Sequence, residues 1–364
     1  MSKTLLIVSA DAAADAAQAE RGEAPRRDYH ELARLLDADL LDFGAISRGT
    51  AGSRLARPLG GAVAQALFGW RRSGAYQAVY SDGEHFGLLL GILFRFRRHR
   101  PRHVLLAHHL TPKKKHLFAR LARPAIDALI VHAALQRRLA IEQLGFAPAR
   151  VHHLPYQADQ NFWRPQGLAM ADPPLICSAG LECRDYETVI DAIEGLPVGF
   201  HIGAASHWSS KRNLLQGRAL TAQVQVDSYD YVALRDLYAR SRFVVVPLFD
   251  VDFQAGITLM LEAMAMARAI VVTRTQAQRD VVVGPVWQAG ATGWPAEGPP
   301  PEESSGIYVA PGDVDGWRSA IGFLLAHPEV CQKLGANGRR AVEERFTVEQ
   351  FAQRLAALIQ PADS

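Results

Sequence analysis

Five polar clusters in this chain each follow a short apolar run, and their residue types suit charged or hydroxyl-bearing ligands. Gln254, Gly256 and Glu262 lie in and just after the loop that follows Phe243–Val246. Asp250-Val251-Asp252 stands earlier in that loop. Paired carboxylates suit a hard cation bridged to a diphosphate, and equally suit an exposed loop that faces water. Gly180 and Arg184 sit in Cys177–Tyr186, between an apolar run and a helix. A glycine turn at a helix N-terminus offers backbone N–H groups and a positive dipole end to an anion, and Arg184 would add a bidentate phosphate contact; a capped turn is the plainer reading. His108-His109 follow Val104–Ala107. Adjacent residues at a strand end point to opposite faces, so at most one of the two meets a ligand there, and a structural histidine fits the pattern as well. Zinc would want further Cys or His at a matching spacing, which is missing. Asp82-Gly83-Glu84-His85 follows Ala78–Tyr80 and either binds hydroxyls or caps the next helix.

The elements that must position these clusters alternate between short apolar strands and amphipathic helices, the pattern of an α/β protein with parallel sheets. In the first half the pattern predicts strands at Leu5–Val8, Ala78–Tyr80, Val104–Ala107, Ala128–Val131 and Val151–Leu154. Helices are expected at His30–Leu36, Phe86–Phe94, Lys115–Leu121 and Leu135–Leu144, and Ser9–Arg27 reads as a loop. Tyr156–Pro165 is turn-like and reads as an interdomain linker, after which Leu175–Ala179 opens the second half. There, strand Phe243–Val246, a Met/Leu/Ala helix around Leu261–Met266 and strand Ala269–Thr273 make a βαβ unit. Its loop falls at the carboxyl edge of the sheet, where open α/β folds bind ligands. Gly338–Leu358 carries apolar residues at helical spacing and reads as one terminal helix.

At 364 residues the chain accommodates two domains with separate cores. An apolar fraction of 49% with 21% charged residues is that of a soluble globular protein. Cys177, Cys183 and Cys331 are an odd, unevenly spaced set, so a reducing cytoplasm is expected rather than a disulfide framework. The apolar run near the start, Thr4–Val8, is too short for a signal peptide, and Phe86–Phe94 is far below the roughly 20 residues a bilayer-spanning helix needs. GxSxG, Walker and GxGxxG motifs are all missing, which argues against hydrolase, kinase and dinucleotide-binding classes.

The net charge of +3 conceals an asymmetry: residues 1–165 hold 24 basic and 14 acidic side chains. Gly91–Ile126 alone contains ten basic residues and no acid. A solvated face, attachment to anionic lipid head groups and nucleic-acid binding are its three readings. No aromatic-basic motif supports the last, and no nucleic-acid partner is expected.

Taken together the motifs resemble family 4 of the GT-B glycosyltransferases. Leu154-Pro155…Asp159…Phe162…Pro165 matches that family's hinge, and Asp236–Pro247 its helix and strand before the donor motif. The donor motif has Glu, seven residues and Glu-Ala-Met-Ala; here Glu262-Ala263-Met264-Ala265 stands, with Gln254 in place of the first Glu. Gly306–Asp313 matches the segment that follows. The likeness is good over about 130–360 and poor over the first hundred residues.

The resemblance implies two Rossmann-like domains facing across a cleft, 1–165 for the acceptor and 166–345 for the donor, with 346–364 crossing back to the first. It implies metal-independent, retaining transfer from a nucleotide-sugar co-substrate, with no cofactor, to a small-molecule, glycan or lipid-linked acceptor, with front-face attack assisted by the diphosphate. The cysteine set and the basic 91–126 region, apart from the resemblance, give a cytoplasmic location with that region as a peripheral contact at the inner membrane face. By position, Glu262 would hold the ribose and Gln254 the donor sugar. Gly180, Arg184, Lys211 and the Gly256-Ile257-Thr258 backbone would meet the diphosphate. His109 would lie near the sugar, with His108, Asp82 and Glu84 on the acceptor side. Leu181 and Asp185 stand where the family has Arg and Lys, Ala267 and Ala269 where it has Gly and Pro. A nucleotide-sugar 2-epimerase and a catalytically impaired nucleotide-sugar-binding protein are the alternatives.

Overall fold

Short strands, apolar and buried in the sheet centres and more polar at most of the edges, build two six-stranded parallel sheets in the computed structural model, which describes residues 4–42, 60–203 and 220–360. The chain divides into two units: Met1–Gly22, Arg26–Pro155 and Val348–Ser364 in the first, Glu23–Pro25 and Tyr156–Thr347 in the second.

The first unit runs β1 (Thr4–Ile7), α1 (Ala12–Glu20), α2 (Asp28–Leu36), β2 (Asp39–Leu41), α3 (Gly61–Arg72), β3 (Ala78–Asp82), α4 (Glu84–Phe94), β4 (Arg102–Ala107), α5 (Lys113–Ala122), β5 (Ala128–Val131), α6 (Ala134–Glu142) and β6 (Val151–His153). Its sheet order is β2-β1-β3-β4-β5-β6. The second runs β7 (Leu175–Ala179), α7 (Tyr186–Ala192), β8 (Gly199–Gly203), β9 (Val224–Asp227), α8 (Tyr231–Arg240), β10 (Val244–Val246), α9 (Ile257–Ala265), β11 (Ile270–Thr273), β12 (Gly306–Val309), α10 (Val314–Ala326) and α11 (Pro328–Arg345). Its order, β12-β11-β10-β7-β8-β9, is that of a doubly wound Rossmann sheet, with the reversal between β7 and β10. The first unit reverses between β1 and β3.

Side chains alternate across the sheets as the pleat requires. Val244 and Val246 pack with Leu259, Met260 and Met264 of α9, while Val245 points to the opposite face with Trp317 and Ile321 of α10.

Three expectations change. Ser9–Arg27 contains the helix α1, capped by Asp11. The single terminal helix is two: α11 stops at Arg345, and α12 (Val348–Ile359) starts afresh. Between them Phe346 O accepts from Ala158 N at 2.9 Å, fixing the break. Phe346 belongs to the second core, whereas Phe351, Leu355 and Ile359 of α12 close the first against Leu6, Leu32 and Ile130. Finally, Tyr156–Pro165 is no free linker, because Phe162 and Trp163 are buried in the second core.

Candidate functional site

At the reversal of the second sheet, the β7–α7 and β10–α9 loops are zipped together. Asp185 N donates to Pro247 O at 3.1 Å, and Phe249 N to Cys183 O at 3.1 Å. Arg184, 5% exposed, is held on its own loop: Nε donates to Ala179 O at 3.0 Å and Nη1 to Glu182 O at 2.7 Å. Its guanidinium lies between Gly180 and Gly256. A Cβ on the first would stand 2.8 Å from Nη2, and one on the second 3.4 Å from Nη1. Both glycines have positive φ, +92° and +77°, and both are required by that close approach.

The two helix ends here differ. The α7 end, which the sequence offered to an anion, is taken by Asp185, whose carboxylate accepts from Thr188 Oγ1 at 2.6 Å and Thr188 N at 3.4 Å. The nine-residue α9 has Gly256 as its N-cap and no side-chain cap. Its first N–H groups, those of Ile257, Thr258 and Leu259, have no acceptor within the helix. Thr258 and Glu262 follow one another at i, i+4 on the same face. Glu262 Oε2 accepts from Tyr238 Oη at 3.1 Å, and the fully buried Tyr238 ring lies 5.6 Å from Trp163. Burial, then the Glu262 charge, pushes the Tyr238 phenol far above its ordinary pKa, so it stays a donor.

Gln254 is 7% exposed, and neither its amide nitrogen nor its amide oxygen has a hydrogen-bond partner among the described residues. The loop that carries it is fixed from outside, since Gln278 Nε2 donates to Ala255 O at 2.5 Å. Asp250 commits both oxygens to Gln276, accepting from its N at 3.0 Å and its Nε2 at 3.2 Å. Lys211 lies outside the described residues.

In the first unit the polar edge forms where β3 and β4 end. Gly83 is the N-cap of α4 without a side-chain cap, so the Asp82–His85 cluster does not cap that helix. Instead Asp82 Oδ1 lies 3.0 Å from His108 Nε2. Glu84, 6% exposed, uses both oxygens: Oε2 accepts from His108 N at 2.9 Å and Oε1 from Lys115 Nζ at 2.6 Å. Lys115 Nζ also donates to His109 O at 2.7 Å, and buried Gln136 donates through Nε2 to His108 O at 3.0 Å.

Desolvation acts to lower the His108 pKa, although its side chain is 43% exposed, but the Asp82 hydrogen bond and the Asp82, Glu84 and Asp28 carboxylates outweigh it and hold it up at about 9. Burial and then the Asp82 charge raise Asp28 at the start of α2. Burial, reinforced by the His108 charge, pushes buried His132 down to about 3, so it is neutral, with Nδ1 donating to Leu154 O at 2.9 Å. Ser9 Oγ, 2.9 Å from His85 Nε2, completes the edge on the β1 side.

Thus Gly180, Arg184, Gln254, Gly256, Ile257, Thr258 and Glu262 share one sheet edge of the second unit, while Asp82, Glu84, His108 and His109 share one edge of the first. Sequence reasoning missed the positioning residues Asp28, Gln136, His132 and Gln278. Each acts on a partner at least 22 residues away where a bond is present, and no local spacing signals that.

No family model and no curated protein matches the chain in sequence. Solved structures do match in fold. Sucrose-phosphate synthase (tll1590) from Thermosynechococcus elongatus superposes with a TM-score of 0.70 at 17% identity, covering 98% of each chain. A glycosyltransferase from Rickettsia africae gives 0.68 at 11% identity and 99% of each chain. Anabaena Alr3699/HepE, solved with UDP and glucose, gives 0.65 at 13% identity and 98% of each chain. The fold is that of the GT-B glycosyltransferases.

Proposed function

We propose that this protein is a retaining glycosyltransferase that moves a sugar from a nucleotide-sugar, a uridine diphosphate sugar in the first instance, to an acceptor hydroxyl. The observation that carries it is the Gln254 amide, buried and without partners among the described residues, beside the uncapped N-terminus of α9. A buried polar group left unsatisfied costs about 1–3 kcal/mol. Donor-sugar hydroxyls would satisfy it. The α9 N–H groups and Arg184 Nη2 would take the diphosphate, and Glu262 the ribose. The Anabaena neighbour was solved with UDP and glucose, which favours a uridine donor.

In this scheme the leaving diphosphate is stabilised by fixed N–H donors and a cation, groups already in place before reaction. Transfer is read as metal-independent, because Asp250, one acid of the Asp250-Val251-Asp252 pair, is engaged through both oxygens by Gln276. An amide at position 254 is no carboxylate nucleophile. The acceptor oxygen therefore attacks on the face the diphosphate leaves: the glycosidic bond forms, the sugar–phosphate bond breaks, and a diphosphate oxygen takes the acceptor proton. Asp82, His108 and His109 are assigned to the acceptor and sugar side. Glu84 serves to hold that edge together.

Calorimetric titration with UDP and UDP-glucose tests this reading. Saturable binding, weakened by Glu262→Ala and tighter for the sugar nucleotide than for UDP only while Gln254 is present, is expected. Equal affinity of wild type and Glu262→Ala for every nucleotide tried would overturn the site assignment.

A further inference from the structure

The helix α5, Lys113-Lys-Lys-His-Leu-Phe-Ala-Arg-Leu-Ala122, is built inside out. Its buried side carries Ala119, Ala122 and Lys115, and its large apolar side chains face solvent. Leu117 is 64% exposed, with Phe118 and Leu121 exposed beside it. The small inward residues let α5 close on α4, where a Cβ on Gly91 would lie 3.0 Å from Ala122 Cβ. The turn after α4 extends the same patch. Phe96 is 81% exposed, and its neighbour Arg95 donates through Nη1 to Leu121 O at 3.2 Å. Four of the eleven exposed large apolar side chains among the described residues fall between Phe96 and Leu121.

The structure also sorts the basic residues of Gly91–Ile126. Arg100 is paired with Asp127, Lys115 with Glu84, and Arg102 and Arg123 are spent on backbone carbonyls. Arg97 bonds Ser73. Arg98, Lys113 and Lys114 remain exposed, and Arg95 and Arg120, though each gives one N–H to a backbone carbonyl, are exposed as well, with no acid in the segment. A nucleic-acid backbone would use the charges and gain nothing from Phe96, Leu117, Phe118 and Leu121. An anionic bilayer surface uses both, since head groups attract the cations while apolar side chains enter the acyl boundary.

We propose that the α5 face with Phe96 is a peripheral membrane-binding surface for anionic phospholipid. No helix among the described residues is long and apolar enough to cross a membrane, so the attachment lies in the interface. Lys115, on the inner side of the same helix, bonds Glu84 and His109 O. A docked helix therefore holds the His108–Asp82 edge close to the head groups, within reach of an amphiphilic acceptor. The surface itself does not depend on the glycosyltransferase reading.

The test is flotation of the full chain with vesicles of phosphatidylcholine alone and of phosphatidylcholine with an equal amount of phosphatidylglycerol. Wild type should float with the anionic vesicles, less so at high salt, and stay behind with the neutral ones. Lys113→Glu with Lys114→Glu should lower partitioning at least about tenfold. Leu117→Ser, Phe118→Ser and Leu121→Ser combined should do the same even at low salt, with an unchanged melting temperature and unchanged nucleotide binding. Failure of wild type to float with anionic vesicles would overturn the proposal, as would full flotation of the triple serine variant. A wild-type dimer that the triple serine variant converts to monomer would assign the face to a second copy, and the membrane reading would fall.

Discussion

Tyr238 of α8 donates its phenol proton to Glu262 of α9 across 3.1 Å, and the buried ring that does so rests on Trp163 from the turn-like run after β6. The carboxylate assigned to the ribose is therefore aimed by two residues outside its own βαβ unit. Tyr238→Phe should weaken nucleotide binding by about three- to tenfold, the net worth of one ordinary hydrogen bond, because the effect reaches the ligand only through Glu262. Glu262→Ala should cost more, on the order of a hundredfold, by removing the acceptor for both ribose hydroxyls. Titration of the single and double variants decides the point: the double variant should bind no more weakly than Glu262→Ala, because Tyr238 acts through Glu262.

Gln254 predicts opposite effects on stability and on ligand choice. Gln254→Leu keeps the volume and removes the unsatisfied amide, so the unliganded protein should gain about 1 kcal/mol. The same variant should lose its preference for UDP-glucose over UDP. Gln254→Glu should retain detectable transfer. A drop in the melting temperature of Gln254→Leu, measured without ligand, would show that the amide is satisfied in the free protein.

Gly256 combines a left-handed backbone with a crowded Cβ position, 2.9 Å from Val246 Cγ1. Gly256→Ala should destabilise the second unit by about 2–3 kcal/mol, the sum of backbone strain and displacement of Arg184. Gly312→Ala is the control, with φ of +68° but open space around it, and should cost only about 1 kcal/mol. Paired denaturant titrations measure the difference.

The His108–Asp82 pair gives a pH dependence. A histidine held above its ordinary value adds stability that is complete below about 6.5 and is lost as pH rises through about 9. The first unit should therefore weaken progressively over that window. Asp82→Asn should bring the His108 titration down towards the ordinary range and flatten the dependence. Ring-proton chemical shifts of His108 against pH follow both effects directly.

Metal removal should leave transfer unaltered if Asp250 serves Gln276 alone. Turnover with and without chelator measures this. Asp250→Asn should keep the same turnover, whereas restoration of a chelated sample by Mn²⁺ would restore the paired acids to the donor site.

The second half of the fold was readable because its signals are local. Val244–Val246 and Ile270–Thr273 are β-branched runs, and Glu262-Ala-Met-Ala sits on a helix whose apolar residues mark its buried side. The helix α1 was invisible for a physical reason: of its nine residues only Ala12 is buried, so it carries no apolar stripe. The division of the terminal helix was missed although Phe346 and Phe351, five residues apart, would stand about 140° apart on one helix, and they enter different cores. In the site, residue types were legible and their commitments were not. Nothing near Arg184 announces that two of its nitrogens hold Ala179 O and Glu182 O. The cap at the α7 end, by contrast, was legible, since Asp185 directly precedes the helix and a capped turn was the plainer reading of that loop.

The placement of α12 in the first unit has a consequence for biosynthesis. Leu6, Tyr80, Val104 and Ile130 share their core with Phe351, Leu355 and Ile359, which leave the ribosome only after the whole second unit has been made. Until then one face of the first sheet has no helix to complete it, and the closing contact spans most of the polypeptide. Such a long-range closure is slow. The nascent first unit therefore waits with an apolar surface uncovered, the state that chaperones recognise and from which chains aggregate.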